Sequence, residues 1–394
     1  MKHSFNLYIT AIFICIGTIS FAQEQGGDTT HVQPNDTVTK KSVADKILGL
    51  LDVKVGNTEM SIYPIISYAP SSGLSLGVMP LIVFPHKPGF EREHRESALS
   101  GSVTYSTNKW LEAHADTKIF TQKYDITIYL DLDILRERFY GIGLKGKTID
   151  QGDNKDFSWY ETKFLNIDGV ITRTIKAPFS AGLTYDFNIT KNADIENDSI
   201  FTPETPGEDG GVVMGIGPVV TMDTRDDVYY PSKGSFIKLY GKFCPALDHN
   251  DYQYWHFFLD VRKFFDLKKD WVIGLQSLND YTSGNVPFYK MPKIAGNILL
   301  RGFEHRSKYV DQKMSYLQAE VRKWIWWRLG VAGFVGAGNV FRSGWGDLKD
   351  DMKYVGGLGM RFRLRDDSKI NFRFDYGFAS NGDSGFFLTI REAF

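Results

Sequence analysis

Two sets of charged side chains in this 394-residue chain sit at spacings that could do chemistry. Asp125, Asp131 and Asp133 fall at alternate positions of one run, 124–134, so a strand would put their carboxylates on one face. Carboxylates gathered on one face are what general acid–base hydrolysis needs, as in an outer-membrane protease or lipase. Arg361, Arg363 and Arg365 form a cationic row of the same kind. Nothing accompanies these rows that would make them catalytic. There is no serine elbow, no histidine cluster with metal-ligand spacing and no phosphate loop. His86 and His94 share one turn and read as exposed polar residues. The aspartates are therefore read as a solvated wall, and no catalytic residue, metal or cofactor is expected.

The elements that carry these rows are strands. From Ile370, the residues Ile370, Phe372, Phe374, Tyr376 and Phe378 point one way, and Asn371, Arg373, Asp375 and Gly377 the other. In 124–134 Ile126, Ile128, Leu130, Leu132 and Ile134 oppose the aspartate face; in 360–365 Met360, Phe362 and Leu364 oppose the arginines. One face is greasy and the other charged. That suits a soluble sandwich with its charges outward, or a membrane barrel with its charges in the lumen.

The ends and the composition favour the barrel. Residues 1–22 read as a secretory signal peptide: a basic start at Lys2 and His3, an apolar core from Tyr8 to Ile19, and Ser20-Phe21-Ala22 as the cleavage site. Ile14 before Cys15 is not the small residue that a lipoprotein signal requires, and Cys244 alone then remains, so no internal disulfide is expected. Residues 23–58 read as a polar periplasmic leader, with a short amphipathic helix expected over 42–51. No later stretch has the roughly 18 apolar residues of a membrane helix. A net charge of -1 gives no reason to expect nucleic-acid binding. The 38 glycines, 8 Trp, 20 Tyr and 29 Phe suit strands, tight turns and interfacial girdles.

Sixteen strands are expected between 59 and 394: 61–68, 73–84, 98–107, 110–120, 124–134, 157–172, 179–189, 212–222, 235–243, 252–264, 271–281, 315–325, 330–340, 354–365, 370–378 and 385–393. Residues 139–143 carry Gly141 and Gly143 and read as loop. Counted from a periplasmic start, the outer connections include 135–156, 190–211, 282–314 and 341–353, and the inner ones 121–123, 173–178, 265–270, 326–329 and 366–369. Long and short connections fall on opposite sides, as in an outer-membrane barrel. Residues 85–97 and 223–234 are long for inner turns, and 108–109 is short for an outer one. Trp324, Trp326 and Trp327 sit at an inner turn, where an aromatic girdle belongs. Phe386, Leu388, Ile390 and Phe394 give the last strand the pattern of a C-terminal strand signal. The expected fold is all-β: a sixteen-stranded antiparallel transmembrane β-barrel with an inward-folded long extracellular loop, in the outer membrane of a Gram-negative bacterium.

Leu300-Arg301-Gly302-Phe303, in the longest outer loop, resembles the Arg-Gly-aromatic loop tip of the BamA/TamA family of outer-membrane assembly barrels, the bacterial surface antigen family. Asp223-Thr224-Arg225-Asp226-Asp227, followed by Pro231 and Gly234, is similar to a charged turn of that family, and Gly357-Leu358-Gly359 follows in the matching order. The resemblance covers about 60–394. It implies a loop folded into the lumen, with Arg301 paired to carboxylates on the next two strands. Glu320 matches the first; Gly336 stands where the family carries the second, so one partner is expected. An arginine taken into a lumen loses hydration, and a carboxylate offsets that loss. Members also carry periplasmic repeat domains, for which 23–58 is too short.

Three functions follow as expectations. In the first, the barrel aids insertion or export of outer-membrane proteins or lipids. Its clients would be unfolded barrels, a separate periplasmic protein would be its partner, and a weak seam between first and last strands would open. Gly377 and Gly385 lie near that seam. The second is a gated or passive pore lined by the charged rows, and the third a structural subunit of an outer-membrane complex. Outer-membrane lipids surround the barrel in each.

Overall fold

The computed structural model describes residues 52–55, 58–69, 71–84, 97–143, 157–195, 200–201, 205–247, 252–267, 270–296, 298–303, 308–349, 352–363, 371–390 and 392–394. These belong to the second of two compact units, Leu48–Phe394. The expected signal peptide and the helix over 42–51 lie outside the described residues, as do His86, His94 and Arg365.

Seventeen strands follow in chain order: β1 (Asp52–Val55), β2 (Thr58–Ala69), β3 (Gly73–Phe84), β4 (Ser97–Ser106), β5 (Leu111–Phe120), β6 (Tyr124–Phe139), β7 (Ser158–Lys176), β8 (Phe179–Ala193), β9 (Gly210–Asp223), β10 (Gly234–Cys244), β11 (Tyr254–Leu267), β12 (Trp271–Gly284), β13 (Lys313–Trp326), β14 (Leu329–Phe341), β15 (Lys353–Arg363), β16 (Asn371–Ala379) and β17 (Ser384–Ile390). A 3₁₀ turn, Phe288–Lys290, and a five-residue helix α1, Trp345–Lys349, lie in loops. From β2 to β17 each strand pairs antiparallel with the next, and β17 lies beside β2. These are the sixteen expected strands closing a barrel. β1 is additional: it pairs antiparallel with β2, Asp52 opposite Ser61, inside the stretch read as leader.

The two faces sort as the alternation requires. On β16 Asn371, Arg373 and Asp375 are buried inward, while Tyr376 and Phe378 are exposed outward. Ile66, Leu76, Val335 and Leu358 continue the outward apolar surface. In water such a surface would cost roughly 25 cal/mol per Å²; against lipid it costs nothing.

Four local expectations change. β6 does not stop at Ile134 but runs to Phe139, opposite a 19-residue β7. Its outward charges there are not in lipid: Arg136 and Arg138 lie over the Trp159 ring at 5.2 and 4.8 Å, above the span of about ten residues that crosses a bilayer. Trp324 is not in the girdle. A β-bulge shifts the register between Trp324 and Trp326, so Trp326 is 70% exposed while Trp324 faces inward, 5.5 Å from the Tyr230 ring. The last strand ends at Ile390 instead of 393. The long inner connection 224–233 is no simple turn, because it folds into the barrel.

Carboxylates hold that connection in shape. Arg225 donates to Asp223 through Nε and Nη2, each at 3.0 Å. Asp227 Oδ1 accepts the backbone N–H groups of Tyr229 and Tyr230 at 2.7 and 2.8 Å. Asp226 accepts the N–H groups of Ser232 and Lys233 at 2.9 and 3.1 Å and the Ser232 hydroxyl. Gly234 closes it at φ 102, where a Cβ would sit 2.2 Å from the Thr224 carbonyl oxygen. Tyr229 then packs on the Tyr63, Met79 and Leu81 cluster of β2 and β3, while Tyr230 reaches Trp324 and Arg322 on β13. Burial pushes the Tyr230 hydroxyl up to about 12. Asp226→Ala removes three hydrogen bonds to one carboxylate and should cost about 2 kcal/mol. It is expected to lower the temperature at which the folded band disappears in semi-native electrophoresis; a band as heat-resistant as the parent's contradicts this role.

Candidate functional site

The connection from β12 to β13 turns into the lumen. Gly284, at φ 119, lets the chain leave β12, and an isolated bridge between Lys293 and Val310 ties its two limbs. Between them the chain descends to a tip at Leu300–Phe303, with positive φ at Leu300 (41) and Gly302 (153). Leu300, Phe303 and Tyr309 pack on Tyr316, Phe334 and Val355 of β13, β14 and β15.

Arg301 is fully buried at this tip. Its Nη1 lies 2.7 Å from Glu320 Oε2 and 2.6 Å from Asp375 Oδ2, and its guanidinium stacks 3.7 Å above the Phe334 ring. Arg301 thus has two carboxylate partners, where the sequence led us to expect one. The second comes not from the Gly336 position on β14 but from β16, whose inward face the tip reaches across the lumen. Burial alone would lower the Arg301 pKa; Glu320 and Asp375 outweigh it and the net shift is upward.

The pair belongs to a larger buried network. Arg361 joins Asp375 Oδ1 (2.7 Å), Glu320 Oε1 (3.2 Å) and Glu392 Oε2 (2.8 Å). Arg322 Nε donates to Glu320 Oε1 at 2.7 Å, and its Nη2 to the Phe394 main-chain oxygen at 3.0 Å. Arg373 Nε lies 3.4 Å from Asp375 Oδ2. Arg361 and Arg373 are therefore buried against the carboxylates that hold Arg301, and Arg361 also reaches Glu392 of the C-terminal segment.

Two glycines make the approach possible. A Cβ on Gly377 would sit 1.7 Å from the Arg301 carbonyl oxygen, and one on Gly302 3.0 Å from Gly377. Gly377 is thus the seat of the tip on β16. The loop has a second anchor on the opposite wall: Lys290 Nζ donates to Asp186 Oδ1 and Asn166 Oδ1 at 2.9 and 2.8 Å.

The C-terminal pattern divides. Phe386 is exposed on the outward face with Leu388 beside it, and the Ile390 side chain lies outside the described residues. Phe394 is not on a strand. It turns into the lumen and stacks on Phe264, with centroids 5.9 Å apart, over Gly274. Asp375, Arg322, Arg361, Glu392 and Lys290 were missed as site residues. Only the inward parity of Arg361 and Asp375 hinted at them.

The alternating faces, the inward arginine-tipped loop and the long outer strands define a transmembrane β-barrel of the outer-membrane type. Residues 90–390 match the Omp85 superfamily domain, and the chain belongs to that superfamily. It is a Gram-negative outer-membrane protein and a BamA/TamA-like barrel. The fold is similar to BamA from Haemophilus ducreyi lacking POTRA domains 1–3 (15% identity, TM-score 0.54, 86% of this chain and 70% of that one). It is also similar to CdiB from Acinetobacter baumannii (12%, 0.51, 86% and 60%) and CdiB from Escherichia coli (8%, 0.53, 86% and 62%). The chain thus spans less than two thirds of either CdiB chain. A search of curated proteins finds no match.

Arg301→Ala or Glu320→Ala leaves buried partners uncompensated and should cost about 3–5 kcal/mol. Each is expected to lower the level of folded protein in the membrane, and Gly377→Val should do the same by displacing the tip. Variants that accumulate and resist heat and detergent like the parent would show that the tip contacts do not hold the barrel together.

Proposed function

We propose that this barrel aids the insertion or export of outer-membrane proteins or lipids through a lateral opening between β2 and β17. Clients would be unfolded barrels, and a separate periplasmic protein would deliver them at the inner rim. The observation that supports this most is the closure. Among the described residues, β17 and β2 touch over the fewest residues of any neighbours in the ring. β17 has 7 residues against 12 in β2. Pro64 on β2 has no N–H to donate, a feature of edge strands. A cavity of about 230 Å³ reaches this closure, lined by Pro64, Leu388 and Thr389 there and by Met79, Leu81 and Ser100 of β3 and β4. A strand pair held this thinly is the one that parts first and offers an edge to an incoming strand.

The loop clamp sits next to this closure. Arg301 and Gly302 bear on Gly377 of β16, and a Cβ on Gly385 of β17 would come within 3.7 Å of Gly302. This proximity supports a coupling of loop position to seam stability. Superfamily membership supports the same reading. A pore function is less supported: the loop, the 224–233 connection and Phe394 all occupy the lumen.

The test is a folding assay in liposomes. The purified barrel should speed the folding of a second, urea-denatured barrel relative to empty liposomes. The acceleration should vanish with Arg301→Ala, and with cysteine pairs that cross-link β2 to β17. Equal rates with and without the protein would overturn the proposal.

A further inference from the structure

The lumen wall formed by β5 and β6 carries a group of ligands that the loop, the charge network and the closure do not use. Glu112 and His114 share the inward face of β5; their register partners on β6 are Asp133 and Asp131. One ligand atom each from Glu112, His114 and Asp133 lies within 4.8 Å of the others. His114 Nδ1 lies 2.7 Å from Asp131 Oδ1, and His114 Nε2 lies 3.8 Å from Asp133 Oδ1.

We propose that Glu112, His114 and Asp133 bind a first-row divalent cation of the Zn²⁺ or Mn²⁺ kind. Three arguments carry this. First, the 3.8 Å separation is beyond hydrogen-bond range, yet close to the spacing of two ligands that each lie about 2.0–2.2 Å from a shared ion. A shift of a few tenths of an ångström brings them together. Second, Asp131 Oδ1 holds Nδ1 at 2.7 Å, which fixes the ring and, in the neutral tautomer protonated at Nδ1, leaves Nε2 as the ligand atom on the Asp133 side. Metal-ligating histidines are oriented in this way. Third, the site is open on one side: Asp133 is buried, but the His114 side chain is 40% exposed, so an ion and its remaining waters can enter from the lumen. One imidazole and two carboxylates suit Zn²⁺ or Mn²⁺; an imidazole ligand disfavours Ca²⁺ and Mg²⁺. The bound ion would bridge two strands of the wall near the outer end of β5. A second inward pair, His256 Nε2 and Asp280 Oδ1 at 2.6 Å, has no third ligand among the described residues and serves as the comparison.

The experiment uses the full-length protein without an affinity tag, folded in detergent micelles and stripped with chelator. ZnCl₂ is titrated by calorimetry, and CoCl₂ by its visible absorption. The parent should bind one ion per chain, with a Co²⁺ spectrum typical of nitrogen and oxygen ligands. His114→Ala and Asp133→Asn should abolish binding. Glu112→Gln, which leaves the histidine–aspartate contacts in place, should weaken it at least tenfold, and Asp131→Asn should weaken it about 10–100-fold. His256→Ala should bind like the parent. Heat-shifted electrophoresis confirms that each variant is folded. No saturable binding by the parent, or binding that survives in folded His114→Ala, would overturn the proposal and leave His114 as an ion-paired wall residue.

Discussion

The buried pairing of Arg301 with Glu320 and Asp375 is the constraint on which the rest of the interior depends. A guanidinium with no exposed surface has lost its hydration, and only well-placed carboxylates return that energy. Once Arg301 is in place, Glu320 and Asp375 are shared with Arg322, Arg361 and Arg373, and through Arg322 and Arg361 with Glu392 and Phe394. Loop tip, the β13–β16 wall and the C-terminal segment become one unit. Such a network need not make the fold more stable than an apolar core would. What it does is select one position of the loop, because any other leaves charges buried without partners.

Segments that look like ordinary connections in sequence enter the interior from both ends. From outside, the β12–β13 loop is held by Arg301 on one wall and Lys290 on the other. From the periplasmic side, the 224–233 connection spans the lumen between Tyr229 and Tyr230. Arg322 links the two, since it bonds Glu320, the partner of Arg301, and lies 5.5 Å from the Tyr230 ring. Between the 224–233 connection, Phe394 and the β5–β11 wall remains a cavity of about 670 Å³, lined by polar groups such as Lys118, Asp125 and Arg262. The thin β2–β17 closure lies beside the clamp, since Gly302 seats on Gly377 of β16, the neighbour of β17.

The barrel was legible in the sequence because its signal is local and repeated. Period-two alternation and loop lengths sorted by parity recur along the whole chain, and an error in one strand is corrected by its neighbours. Arg301 and Glu320 were legible through the loop-tip resemblance. Asp375 was not, since the contact spans 74 residues and no local pattern says which inward carboxylate a loop will reach. Trp324 was misplaced because it was grouped with Trp326 and Trp327, although it keeps the inward parity of Glu320 and Arg322; the bulge that follows it turns only Trp326 outward and leaves no trace in composition. Phe394 was misplaced for a related reason: alternation predicts the face of a residue only while the strand lasts, and β17 stops at Ile390. Arg136 and Arg138 ended the expected strand early because alternation was read against lipid, whereas that part of β6 stands above it.

The most direct test of the central claim is a double-mutant cycle between Arg301→Ala and Asp375→Ala, read from unfolding of the barrel in detergent micelles. If the tip is clamped on β16, the two changes are strongly non-additive: the double variant loses little more than the worse single one, with a coupling energy of roughly 1–3 kcal/mol. Losses that simply add would mean that the two side chains do not share an interaction in the folded protein, and would contradict the clamp.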